Sequence, residues 1–220
     1  MIPKIFHQIW LGPAPMHPMM LRWQAAWKKL HPGWVLKLWH GGKDGALVCG
    51  DEHLTAHYPD LLAHACHFSQ QANIWRLEVL LAQGGLYLDT DMQPLKNIES
   101  AIADLNAFIM PMYLTPEVYS SAFLGATPKH PWIADALGHL PDKDPKVHLS
   151  MGDTHVTEAA KRSHVHVLDR NAFMSVYTKN RHDPARLAIK PGPGTYAVHQ
   201  FSGQWWPTAY RHPRRPVVTP

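Results

Sequence analysis

No stretch of this chain stays apolar for the roughly 20 residues that a membrane-spanning helix needs. The opening residues, MIPKIFHQIW, lack the basic segment and long apolar run of a secretory leader. Cysteine is scarce: Cys49 and Cys66 allow at most one bridge, and two reduced thiols in a reducing cytoplasm are the expectation. No period of about 20–50 residues recurs, which excludes solenoids and propellers. There is no HExxH pattern and no closely paired cysteine, so the 17 histidines, with His57, His64 and His67 nearest to a cluster, form no zinc signature. Together these absences lead us to expect a soluble cytoplasmic protein, at most peripheral to the inner membrane surface.

What remains is a chain able to fold. Of its 220 residues 45% are hydrophobic and 17% charged, a composition that buries a core rather than staying disordered. The length suits one domain, taken as residues 1–206, followed by a proline- and arginine-rich tail over 207–220 that carries Arg211, Arg214 and Arg215. The net charge of +4 tilts weakly toward an anionic partner.

Periodicity predicts alternating strands and helices. KIFHQIWL (4–11) reads as a first strand closed by Gly12-Pro13. Residues 18–30 read as a helix with Leu21, Trp23, Trp27 and Leu30 as its stripe, and 34–40 as a second strand. Ser69 is placed to cap QQANIWRLEVLLAQ, whose stripe is Ile74, Leu77, Leu80 and Leu81 and whose end is Gly84-Gly85. Leu86-Tyr87-Leu88 restarts as a strand. Helices are expected over 95–105, 131–139 and 152–162, and strands over 107–110, 121–126 and 165–169, with an aromatic segment at 195–206. This alternation predicts an α/β fold on a mostly parallel central sheet flanked by helices.

LYLDTDM then sets Asp89 and Asp91 where that strand leaves the core. Residues i and i+2 of a strand share a side, so the two carboxylates face one way, and they come closer still if the strand breaks there. Each raises the other's pKa unless a cation neutralises them. Oxygen ligands select a hard divalent ion, Mg²⁺ or Mn²⁺, which fills its other positions with water and substrate phosphates. A bare DxD is common; PDKDP holds a second pair, Asp142 and Asp144, in a polar loop that reads as surface. The capped helix, the double glycine and the apolar strand distinguish Asp89 and Asp91.

Three blocks, IPKIFHQIWLG, ANIWRLEVLLAQGGLYLDTDM and YAVHQFSGQWW, resemble glycosyltransferase family 32 in that order. The resemblance implies a GT-A fold, a nucleotide-sugar donor (UDP- or GDP-sugar), a Mn²⁺ or Mg²⁺ cofactor and transfer with retention to a hydroxyl-bearing acceptor. It gives Asp91 the metal, and Asp89 the donor ribose and sugar with a share in the metal. It gives Arg76, Asn73 and Tyr87 the donor sugar, Ile9 and Trp10 the nucleotide base, and His199 and Trp205 the diphosphate, with His199 also on the metal. Trp206 is the alternative to Trp205, and the Ser120–Ser121 segment, Ser121 above all, matches a loop facing the sugar. Asn73 departs from the aspartate common at its position, and SMGDTHV (150–156) matches only loosely a glycine-proline stretch. Two rivals stand beside this expectation: a non-catalytic carbohydrate-binding protein on the same fold, and a haloacid-dehalogenase-type phosphatase with Asp89 as nucleophile. The acceptor stays open between glycan, lipid-linked sugar, protein side chain and nucleic acid.

Overall fold

Four of the five residues of strand β1 (Ile5–Ile9) are buried, as a strand covered on both faces requires. β1 lies between two parallel partners, β2 (Val35–Gly41) and β5 (Gly85–Leu88). The structure is a computed structural model describing residues 1–41, 46–65, 67–113, 115–145, 147, 150–175 and 191–200, with the backbone alone at 174 and 175. Between β1 and β2 runs helix α1 (Pro18–Leu30), its bounds those predicted. Proline opens its first turn, the His17 side chain accepts from the Met19 amide, and Lys28 and Lys29 sit in its last turn. Its buried stripe is Met20, Trp23 and Trp27; Leu21, expected in the stripe, is exposed.

The stretch after β2 that periodicity left unassigned folds into a hairpin, β3 (Ala46–Cys49) and β4 (Glu52–Thr55), and a short helix α2 (Pro59–His64). Helix α3 (Phe68–Gln83) starts ahead of the expected site: His67 occupies the cap position, and the Ser69 hydroxyl lies inside the first turn without a partner. Phe68, though exposed, lies against the loop after β1, where a Cβ on Gly12 would come within 2.6 Å of its ring. The helix ends as predicted at Gly84 (φ 64°), and Gly85 (φ 93°) starts β5 with its Cα so near β1 that a Cβ would sit 2.7 Å from the Ile5 carbonyl oxygen. His7 secures this junction. Its Nε2 lies 2.9 Å from the Gly84 carbonyl and its Nδ1 accepts from the Trp39 indole at 3.0 Å, so the proton resides on Nε2.

Residues 92–106 do not form the helix expected over 95–105. Strand β6 (Met92–Pro94) comes first, and only Glu99–Ile102 is helical (α4). The amides of Leu95 and Lys96 both donate to the Tyr196 carbonyl, which commits that backbone to a crossing segment instead. Then follow β7 (Ala107–Pro111), β8 (Tyr119–Ala126), α5 (Pro131–Gly138), a 3-10 turn (Leu140–Asp142), α6 (Asp153–Arg162), β9 (His166–Val167), β10 (Phe173–Ser175) and β11 (Ala197–His199).

The main sheet has eight strands in the order β4-β3-β2-β1-β5-β8-β7-β9. Its pairings leave β1, β2, β4, β5, β7 and β9 running one way and only β3 and β8 the other. A small sheet, β10-β11-β6, packs on one face with α1 and α4 around Phe6, Trp27, Leu88, Phe123 and Phe173. Helices α3, α5 and α6 cover the other face over Ile74, Leu77, Leu124 and Trp132. α3 precedes and runs back along β5, so its amino-terminal half reaches the edge where β1 and β5 end and β8 begins. No described helix is long and apolar enough to cross a membrane.

Candidate functional site

At that edge β5 stops at Leu88 and the chain turns. The Asp89 amide still bonds the Ala122 carbonyl (2.9 Å), but the Met92 amide folds back onto the Asp89 carbonyl (3.0 Å). The two aspartates therefore sit in a turn rather than on one side of an extended strand. β6 leaves this turn to pair with β11, matching Met92 with His199, and the Gln200 amide bonds the Asp91 carbonyl (3.1 Å). Helix α1 braces the same turn, since the Trp27 indole donates to the Met92 carbonyl at 2.9 Å.

The imidazole Nε2 of His199 consequently lies 3.1 Å from Asp91 Oδ1 and 3.6 Å from Asp89 Oδ2. One ligand atom from each of Asp89, Asp91 and His199 falls within 4.8 Å of the others, the sole such group among the described residues. Asp91 and His199 are buried, and Asp89 is half-exposed. Burial by itself would lower the His199 pKa, but the carboxylates of Asp91, Asp89 and Asp153 outweigh it and raise it. Two carboxylates and one imidazole fit a divalent ion.

Around the aspartates a second set of groups is held by α3. Arg76, which a surface helix would expose, is 4% exposed. Its guanidinium lies 4.4 Å over the Tyr87 ring, Nη2 approaches Asp89 Oδ1 at 3.5 Å, and Nη1 donates to the Ser121 carbonyl. Tyr87 points away from Leu86 and Leu88, as strand alternation predicts, and donates to Asp89 Oδ1 at 2.7 Å. Burial first, then Asp89 and Asp91, push its phenol well above the usual tyrosine range against the pull of Arg76, so it stays a proton donor in this bond. Asn73, one turn before Arg76, is half-buried and makes no side-chain hydrogen bond among the described residues.

Trp10 directly follows β1, half-buried, with its indole N–H committed to the Ala14 carbonyl (2.7 Å). Ile9 beneath it is buried in the core on the α3 face. Ser120 is buried, its hydroxyl accepting from the Ala122 amide, while Ser121 faces Arg76 and Asp153. Trp205, Trp206 and the tail at 207–220 lie outside the described residues.

Two residues at the site escaped the sequence reading. Asp153, first in α6, accepts from both the Ser121 amide (2.7 Å) and the Ser121 hydroxyl (2.8 Å) through Oδ1. An acid in a first helical turn is too common a signal to have singled it out. Gln8, fully buried on β1, takes the Gln24 amide on its Oε1 (2.7 Å) and reaches the Asp89 carbonyl at 3.4 Å. A polar residue that, with His7, interrupts an otherwise apolar strand was its one visible mark.

Residues 20–108 match the family described as a glycosyltransferase sugar-binding region containing a DXD motif. Over 93% of its length the chain is 25% identical to inositol phosphoceramide mannosyltransferase 1 of Schizosaccharomyces pombe, covering 62% of that protein. Over 60% it is 27% identical to an uncharacterized glycosyltransferase of Acanthamoeba polyphaga mimivirus, covering 52% of it. The chain thus spans less than two thirds of either relative. Among solved structures it resembles the PaToxG glycosyltransferase, with a TM-score of 0.58 at 17% identity over 74% of this chain and 70% of that one. Over residues 20–108 the chain is similar in sequence to the glycosyltransferases that carry a DXD motif, and its fold is that of a glycosyltransferase of known structure.

Proposed function

We propose that the protein transfers a sugar, with retention of anomeric configuration and with a divalent metal, from a nucleoside diphosphate to an acceptor hydroxyl. The observation that carries this reading is the convergence of Asp89, Asp91 and His199 beside the buried Arg76 at one sheet edge. Such a crevice, outside the carboxyl ends of parallel strands, is where α/β folds receive ligands. Asp91 and His199 would hold the ion, with Asp89 sharing it. When bound, the ion neutralises charge on the departing diphosphate, a contribution of about 3 kcal/mol or more.

The remaining work belongs to the chain. Trp10 offers an aromatic face to the base, with Ile9 behind it. Arg76 and Asn73 orient the sugar, Tyr87 keeps the Asp89 carboxylate in one rotamer, and Ser121 lines the sugar side. Trp205, in the carboxy-terminal aromatic segment, closes on the diphosphate. In the transfer the bond from the anomeric carbon to the phosphate oxygen breaks, and a bond to the acceptor oxygen forms on the same face. The acceptor proton passes to the departing diphosphate.

The donor is a UDP- or GDP-sugar. The Schizosaccharomyces pombe relative is named for inositol phosphoceramide, which adds a lipid-borne hydroxyl to the glycan acceptors worth screening and suits a protein at a membrane surface. The basic balance keeps polyanionic acceptors, nucleic acid included, in the screen, where a salt-dependent DNA affinity would reveal them. The test is a donor panel: purified protein should release sugar from one UDP- or GDP-sugar only when Mn²⁺ or Mg²⁺ is present. Turnover of none, or turnover indifferent to chelation, contradicts the reading, and an inverted product anomer by NMR contradicts retention.

A further inference from the structure

Resting on that reading of the site, we propose that Asp153 selects the donor sugar, its second carboxylate oxygen accepting a hydrogen bond from a sugar hydroxyl. Asp153 opens α6, a helix that packs along β8, and so reaches the sheet edge on the far side of Asp89 from β1. One of its oxygens, Oδ1, is fully used by the amide and hydroxyl of Ser121. These two bonds fix the carboxylate plane. They leave Oδ2 with no hydrogen bond or ion pair to any described residue, on a side chain that is half-buried.

The peptide of Ser121 connects this carboxylate to the rest of the site. Its amide meets Asp153, and its carbonyl takes the Arg76 guanidinium that also approaches Asp89. Asp153 and Arg76 are therefore joined through the backbone of a single residue, Ser121. Arg76, the cation that reaches Ser121, is committed to that carbonyl and to Asp89, so no bond from it neutralises Asp153. A bare carboxylate repels a diphosphate but accepts strongly from neutral hydroxyls, and its charge makes such a bond about twice as strong as a neutral one. A nucleotide-sugar presents hydroxyl donors on its ribose and on its sugar, and Asp153 is held by Ser121, which the proposed function sets on the sugar side. Asn73 on α3, half-buried and without a side-chain hydrogen bond to any described residue, both donates and accepts. With Asp153 acceptor-only, the two side chains together distinguish donors by where their hydroxyls point. A site that pairs a substrate hydroxyl with a buried polar group discriminates far more sharply than an apolar one.

The discriminating variant is Asp153→Asn. It keeps a carbonyl oxygen for both Ser121 donors and turns the open oxygen into an N–H donor, so the fold and the Ser121 bonds survive. The expected result is a fall of about ten- to a hundredfold in kcat/KM for the preferred donor. The ranking of donors differing only in one hydroxyl's configuration should also change, while affinity for UDP or GDP with Mn²⁺ shifts by no more than about twofold. Asp153→Ala serves alongside it, with the melting temperature recorded to show that the variant is folded. An unchanged donor ranking in Asp153→Asn overturns the proposal, and so does a parallel loss of nucleoside-diphosphate binding, which would make Asp153 a structural support. If the unaltered protein binds no nucleoside diphosphate with Mn²⁺, the underlying reading of the site fails instead and takes this proposal with it.

Discussion

Tyr87 donates its phenolic hydrogen to Oδ1 of Asp89, two residues further along the chain, at 2.7 Å. The bond assigns each oxygen of that carboxylate a separate task. Oδ1 is shared by Tyr87 and Arg76, and Oδ2 is left toward His199. Tyr87→Phe removes only this donor from a buried ring. We expect kcat/KM for the preferred donor to fall about tenfold, in line with one hydrogen bond to a charged group, with little change in melting temperature. Unaltered steady-state kinetics would contradict a positioning role for the phenol.

The double glycine answers to space rather than to chemistry. A methyl group at Gly85 would lie 2.7 Å from the Ile5 carbonyl oxygen and 3.1 Å from His7 Nε2, at a φ of 93°. Gly33 has a similar φ, 87°, but open surroundings. Gly85→Ala should therefore cost about 3 kcal/mol or more and Gly33→Ala about 1 kcal/mol. For a domain of this size the first corresponds to a melting temperature lower by roughly 6–12 °C. Equal losses at the two positions would show that backbone conformation alone explains both.

His7 makes stability depend on acid. Burial, opposed in part by its bond to Gly84, lowers its pKa from 6.5 to about 4. In the unfolded chain the ring protonates first as pH falls, so the unfolded state binds more protons and stability drops between 6.5 and about 4. The size of this loss is about 3 kcal/mol, and stability is complete above that window. Burial lowers His31 and His155 in the same direction, so His7→Gln should flatten the fall in denaturation midpoint without abolishing it. A slope identical to that of the unaltered protein would contradict this account.

How far the molecule was legible from its sequence depended on how local each cause is. Helix α1 was bounded correctly because Pro18 and the Pro32-Gly33 stop act on their own neighbours. Tyr87 was assigned the Asp89 side by strand alternation alone. The stripe of α1 was mistaken at Leu21 because the face that Trp27 buries is set by Phe6 and Met92, which come from elsewhere in the chain. Ser69 looked like a cap until the contact between Phe68 and Gly12 began the helix earlier. The pairing of β6 with β11, which delivers His199, leaves no periodic trace in two three-residue strands. His199 was reached through family resemblance instead. Asp153 lay in a segment, 150–156, that matched the resemblance only loosely.

In the proposed function Asp91, with Asp89 and His199, holds a divalent ion that engages a nucleoside diphosphate. Titration calorimetry of UDP and GDP, with Mn²⁺ and with chelator, tests it most directly on the unaltered protein and on Asp91→Ala. The account predicts binding of one nucleotide that weakens by about a hundredfold or more when either Mn²⁺ or the Asp91 carboxylate is removed. Affinity that survives both removals would contradict it.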